Sequence, residues 1–103
     1  MKATRISADT ENERIYYMCP GCKHLHNVCP KRWNWNGSLE SPTFSPSVRH
    51  FYHHPTTNQE VTVCHYFVKD GNIQFCGDCE HELKNQIVSL PELTENDLST
   101  LTR

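Results

Sequence analysis

The sequence predicts a small, mostly-β single domain. Three observations carry this. Val61 to Val68 is a run of β-branched and aromatic residues, and after Asp70-Gly71 a second run, Ile73 to Cys76, returns, which is the pattern of a hairpin. Only 36% of the 103 residues are hydrophobic and the mean hydropathy is −0.70, so the core is modest and needs a staple. The staple is at hand in Cys19-Pro20-Gly21-Cys22 and Cys76-Gly77-Asp78-Cys79, where two thiols three positions apart around a tight turn can face one tetrahedral ion. The expected architecture is a zinc-ribbon-like set of β-hairpins with a knuckle, stapled by Zn2+, with minor α content.

The elements follow in order. Residues 1–13 are polar and poorly patterned, a short edge strand or a loose arm. Arg14 to Met18 is rich in β-formers and leads into the first knuckle, and Lys23 to Val28 alternates after it, so the two make a hairpin whose turn is the knuckle. Asn36-Gly37 is a turn signal, and Trp33 and Trp35 before it form a lid on the core or a stacking surface. Pro42 and Pro46 exclude a helix over Ser41 to Val48, which reads as an extended edge segment continuing towards Tyr52. His53 to Gln59 is a surface loop. The hairpin at Asp70-Gly71 has two registers open to it. A two-residue turn puts Lys69 opposite Asn72. A three-residue turn puts Val61, Val63, Phe67, Ile73 and Phe75 on one apolar face, the arrangement that patterning favours. Glu80 to Asn85 suits one helical turn, and Gln86 to Leu90 a short strand stopped by Pro91. The extension 92–103 suits a short final helix with Thr94 as N-cap.

A net charge of −2 and a pI near 6.4 give no basic excess, so long nucleic acid is not expected as a partner. No segment reaches membrane-spanning length and residues 1–18 hold no apolar run, so a cytoplasmic protein is expected. Thiols there stay reduced, and the six cysteines read as metal ligands plus leftovers rather than disulfides. Cys19 and Cys22 are two ligands. The others come from Cys76 with Cys79, or from Cys64, His65 and His81. Cys29 has no partner at ligand spacing and reads as an inert thiol.

The order CPGC with His26, then Trp33 to Ser38, Ser41 to Ser47, Cys64 to Phe75, Gly77 to Leu83 and Val88 to Pro91 resembles a family of small phage and prophage proteins of unknown function, also found in bacterial genomes and often given the label ammonia monooxygenase. That label belongs to large membrane metalloenzymes and does not suit a chain without a membrane-length segment. The resemblance implies that Cys19, Cys22, His26, Cys64, His65, Asp78 and His81 are the characteristic positions. It favours Cys19, Cys22 and Cys64 as ligands with Cys79 or His81 as the fourth, and leaves Cys76 as an alternative special to this chain. It also implies a host or phage protein as partner, and host cytoplasm as the place of action.

His26, His65, Asp78 and His81 are more titratable side chains than a purely structural metal site needs. Their bland role is to orient ligands. Their sharper one is a zinc-dependent hydrolase, with His65, Asp78 and His81 beside an open metal position. No metalloprotease helix motif, nucleophile elbow, phosphate loop or deaminase signature is present. The function expected first is therefore an accessory protein acting through protein interaction, not an enzyme, with no catalytic residue assigned. A third reading is a binder of a small nucleotide-like ligand, using Trp33 or Trp35 with Asn36, Ser38 or Thr43.

Overall fold

Residues 1–101 are described in the computed structural model. Eight strands and one short helix run in the order β1 (Ala3–Ile6), β2 (Arg14–Cys19), β3 (His24–Val28), β4 (Asn34–Trp35), β5 (Phe44–His53), β6 (Glu60–Lys69), β7 (Asn72–Phe75), β8 (Ile87–Ser89) and α1 (Glu95–Leu101). They form two antiparallel sheets, β1-β2-β3 and β4-β5-β6-β7-β8. The predicted mostly-β class is the one observed.

Period-two alternation builds the core. In β2, Ile15, Tyr17 and Cys19 are buried, and in β6, Cys64, Tyr66 and Val68 are. These faces meet Phe44, Val48, Ile73, Phe75 and Leu90 in one hydrophobic cluster shared by both sheets. The arm at the start of the chain is an edge strand: β1 pairs with β2, with Ala3 fully buried opposite Tyr17. Its turn is held by Arg5, which donates to Glu13 at 2.8 Å, while Glu13 also accepts the Asp9 N–H at 2.7 Å.

The hairpin at the first knuckle is present, with Cys19 opposite His24. The β6–β7 hairpin takes the two-residue register, Lys69 opposite Asn72. Asp70 and Gly71 both have positive φ, 51° and 78°, the geometry of a two-residue turn that matches strand twist. The patterning-favoured register fails because Val63 and Phe67 belong to the outer face, where Phe67 is half exposed. Residues 80–85 form successive turns rather than a helix. At α1 the expected cap is a reciprocal box: Asp97 N–H donates to Thr94 Oγ1, and Thr94 N–H to Asp97 Oδ2.

A polar knot sits inside the apolar interface. Tyr66 Oη lies 2.6 Å from Tyr17 Oη, 3.0 Å from His26 Nδ1 and 2.9 Å from His50 Nε2. A hydroxyl has one donor and two acceptor sites, so three partners saturate it. Tyr17 and His26 come from one sheet, His50 and Tyr66 from the other. Tyr66→Phe should therefore cost about 1–3 kcal/mol in urea unfolding, because three polar groups lose their shared partner without leaving the interior.

Burial, and then the neighbouring His26, lower the His50 pKa from 6.5 to about 4. Between those values the unfolded chain binds a proton that the folded chain does not, so stability is lost as pH falls from 6.5 towards 4. His50→Gln keeps a polar atom near Nε2 and removes the titration. The difference in unfolding free energy between wild type and variant should be flat above pH 6.5 and shift in the variant's favour below it.

Candidate active site and metal centre

β6 serves two sites at consecutive positions. Cys64 points into the core and His65 to the outer face, because neighbouring strand residues face opposite ways.

On the inner side, Cys19, Cys22, Cys64 and His81 converge, with one donor atom from each within 4.8 Å of the others. The knuckle supplies two thiols, and the Cys22 N–H donates to Cys19 Sγ at 3.3 Å. His81 comes from the loop after β7, and its Nε2 lies 3.4 Å from Cys64 Sγ. A Cβ built on Gly21 would overlap the His81 ring, so the knuckle needs glycine there for the imidazole to approach. Leu83 N–H reaches His81 Nδ1 at 3.2 Å, a contact that ligation through Nε2 would weaken by moving the ring proton to Nδ1.

A hydrogen bond from Cys64, with help from His26, holds Cys19 well below the usual thiol range. The same contact with Cys19, together with burial, pushes Cys64 far up. Burial and the Cys19 charge push Cys22 up to about 11. One thiolate is thus favoured and the others keep their protons, the state a divalent cation reverses by displacing protons. Three thiols and one imidazole gathered within 4.8 Å suit a tetrahedral soft metal, and this cluster could hold a metal ion.

All six cysteines are free. Cys79 lies outside the group of four. Its sulfur accepts the His65 N–H at 3.2 Å and donates to the His65 carbonyl at 3.1 Å, clamping the backbone of that residue. Cys29 is half-buried and belongs to no cluster of metal-binding side chains among the described residues. His26 Nδ1 lies 3.0 Å from Tyr66 Oη, and His26 is outside the group of four.

On the outer side, His65 and Asp78 do not join the Cys19, Cys22 and Cys64 thiols. His65 Nδ1 lies 3.2 Å and 3.3 Å from the two Asp78 carboxylate oxygens, and His65 Nε2 lies 3.2 Å from Ser47 Oγ. This is the connectivity of a Ser-His-Asp triad. Ser47 reaches its place through a bulge in β5. Three residues, Ser45-Pro46-Ser47, lie between Phe44 and Val48 where β6 has one, Phe67, between Val68 and Tyr66, so the segment is displaced from the β5–β6 ladder. Trp33 Nε1–H donates to the Ser47 carbonyl at 3.4 Å. Trp35 donates to the Ser38 carbonyl, and Asn36 bonds to Ser38, Ser41 and Thr43 within its own loop. Those side chains hold the segment leading to Ser47. The His65 side chain is 27% exposed and that of Asp78 is 47% exposed, so the triad opens to solvent.

A model of the family described as BubE, bacterial ubiquitination-like system serine protease, matches residues 1–76. The chain belongs to this family. Ser47 and His65 lie inside the matched stretch, and Asp78 stands two residues beyond it. The BubE description names a bacterial pathway and a serine chemistry, and neither a phage nor zinc. No curated protein and no solved structure matches the chain.

Sequence reasoning placed His65 and Asp78 among the functional residues but missed Ser47. The available signal was Ser47 standing in a proline-interrupted stretch ahead of His65 and Asp78, but serine is common in such loops and the spacing is not a recognised motif.

The two sites make separable expectations. Cys19→Ser, Cys22→Ser, Cys64→Ser and His81→Ala should each lower bound metal in native mass spectrometry, and Gly21→Ala should weaken retention by displacing His81. Cys29→Ser and Cys79→Ser should retain it.

Proposed function

We propose that this BubE-family chain is a serine hydrolase that cleaves a peptide or isopeptide bond at the C-terminus of a ubiquitin-like protein. The observation that carries this is the continuous chain of contacts from Ser47 Oγ through His65 to Asp78, at 3.2 Å on each side of the imidazole. The family description supports the substrate class.

In this mechanism Ser47 Oγ attacks the scissile carbonyl while His65 Nε2 takes its proton. Asp78 accepts the Nδ1–H, keeps the imidazole in the tautomer whose Nε2 lone pair faces Ser47, and stabilises the imidazolium that forms. His65 then gives the proton to the departing amine, and water releases the acyl group from Ser47 by the same proton path. The bulge presents Ser47 on an exposed sheet face, which suits a tail that approaches from a separate folded protein.

The metal is proposed to be zinc and to act structurally. Cys19, Cys22, Cys64 and His81 would hold it, and four protein ligands would leave no position for a reactive water. Held together in this way, Cys22, Cys64 and His81 would fix the loop that carries Asp78. Hydrolysis is thereby assigned to Ser47 and not to a metal-bound water.

The test is labelling by a fluorophosphonate probe together with cleavage of a ubiquitin-like precursor. Ser47→Ala should abolish labelling and reduce cleavage to background. Asp78→Asn should lower kcat by about 10²- to 10⁴-fold with little change in KM, because the carboxylate acts on the imidazole and not on substrate binding. Undiminished cleavage by Ser47→Ala would overturn the assignment.

A further inference from the structure

We propose that His65, Cys76 and Asp78 form a second metal site, and that a soft divalent cation such as Zn2+ bound there switches the Ser47 site off. The switching role rests on the serine-hydrolase function proposed above. The cation site itself does not.

One donor atom from each of the three residues lies within 4.8 Å of the other two. An imidazole, a thiol and a carboxylate are the ligand types that Zn2+ takes, with solvent completing the shell. The set shares no residue with the Cys19, Cys22, Cys64 and His81 centre. Another group, Cys22 with His24 and His26, does share one, since Cys22 already belongs to that centre. The site is open from outside, with Asp78 exposed and Cys76 half-buried. It is also held in place, because the Cys76 N–H donates to the His65 carbonyl at 2.8 Å and locks two of the three ligands together.

Inhibition follows from the imidazole's single proton. With Asp78 accepting from Nδ1, the Nε2 lone pair faces Ser47 and can take its proton. A cation at Nδ1 uses the lone pair on that nitrogen, so the ring proton must sit on Nε2. Nε2 is then a donor and cannot act as the base towards Ser47. The Asp78 carboxylate is drawn to the cation at the same time. The Cys76 thiol proton, which burial and the Asp78 charge hold more tightly than usual, leaves to solvent. Base and orienting carboxylate are thus disabled by one ion, and its removal restores both.

The experiment uses the full chain already holding one equivalent of Zn2+. Further Zn2+ uptake is measured by competition with a chromophoric chelator, and Ser47 reactivity by the rate of fluorophosphonate labelling. Wild type should take up a second equivalent and lose labelling as it does so, and a mild chelator should restore it. Cys76→Ser should keep the basal labelling rate. A partner outside the ligand shell is worth about 10- to 100-fold in metal affinity, so loss of a ligand should raise the inhibitory Zn2+ concentration at least ~10-fold. Asp78→Asn should also lose the second equivalent. Equal inhibition of wild type and Cys76→Ser, or no second equivalent in wild type, would overturn the site. A second equivalent that depends on Cys76 and Asp78, in a protein that never labels, would leave the cation site standing and remove its switching role along with the hydrolase.

Discussion

Cys64 and His65 are neighbours in the chain, and a β-strand sends neighbours to opposite faces. That constraint organises the molecule. Cys64 turns inward to the thiol and imidazole group, and His65 turns outward between Ser47 and Asp78. The loop after β7 repeats the division. Asp78 goes to the outer site, His81 to the inner one, and Cys79 between them clamps the His65 backbone. Neither site can shift along β6 without moving the other.

A metal ion in the inner site would add a tie to a chain with so small a core. The apolar cluster is small, and two of its members, Cys19 and Cys64, belong to the group that could hold a metal. A structural zinc contributes on the order of 10 kcal/mol in small domains that fold around it. Here the donors come from the first hairpin, from β6 and from the loop after β7, so one ion would tie together both sheets and the Asp78 loop. The Tyr17, Tyr66, His26 and His50 knot adds a second tie across the sheet interface, since Tyr17 and His26 come from one sheet and His50 and Tyr66 from the other.

The outer site is built differently. Its serine stands on a bulge, its histidine on a regular strand and its aspartate on a loop, so the triad is assembled from three kinds of backbone. The Asp78 carboxylate is half exposed, so water screens its effect on His65 more than in a buried triad. An open arrangement of this kind leaves room for a protein-sized substrate. It also leaves the donor atoms of His65, Cys76 and Asp78 within reach of a cation.

The class of fold, most strands, the knuckle hairpin and the Thr94 cap were legible in the sequence, because each depends on local chemistry: alternation, turn residues and capping side chains. Cys19 and Cys22 were legible as a pair for the same reason, being three residues apart on one turn. The fourth member of the metal group was narrowed only to Cys79 or His81, because His81 reaches the group through the path of the loop and the absence of a side chain at Gly21. The hairpin register was decided by two positive-φ residues against the apolar pattern. Ser47 was hidden most completely. Its partners lie 18 and 31 positions along the chain, and its aim depends on how a bulge in β5 meets β6, which only strand pairing decides.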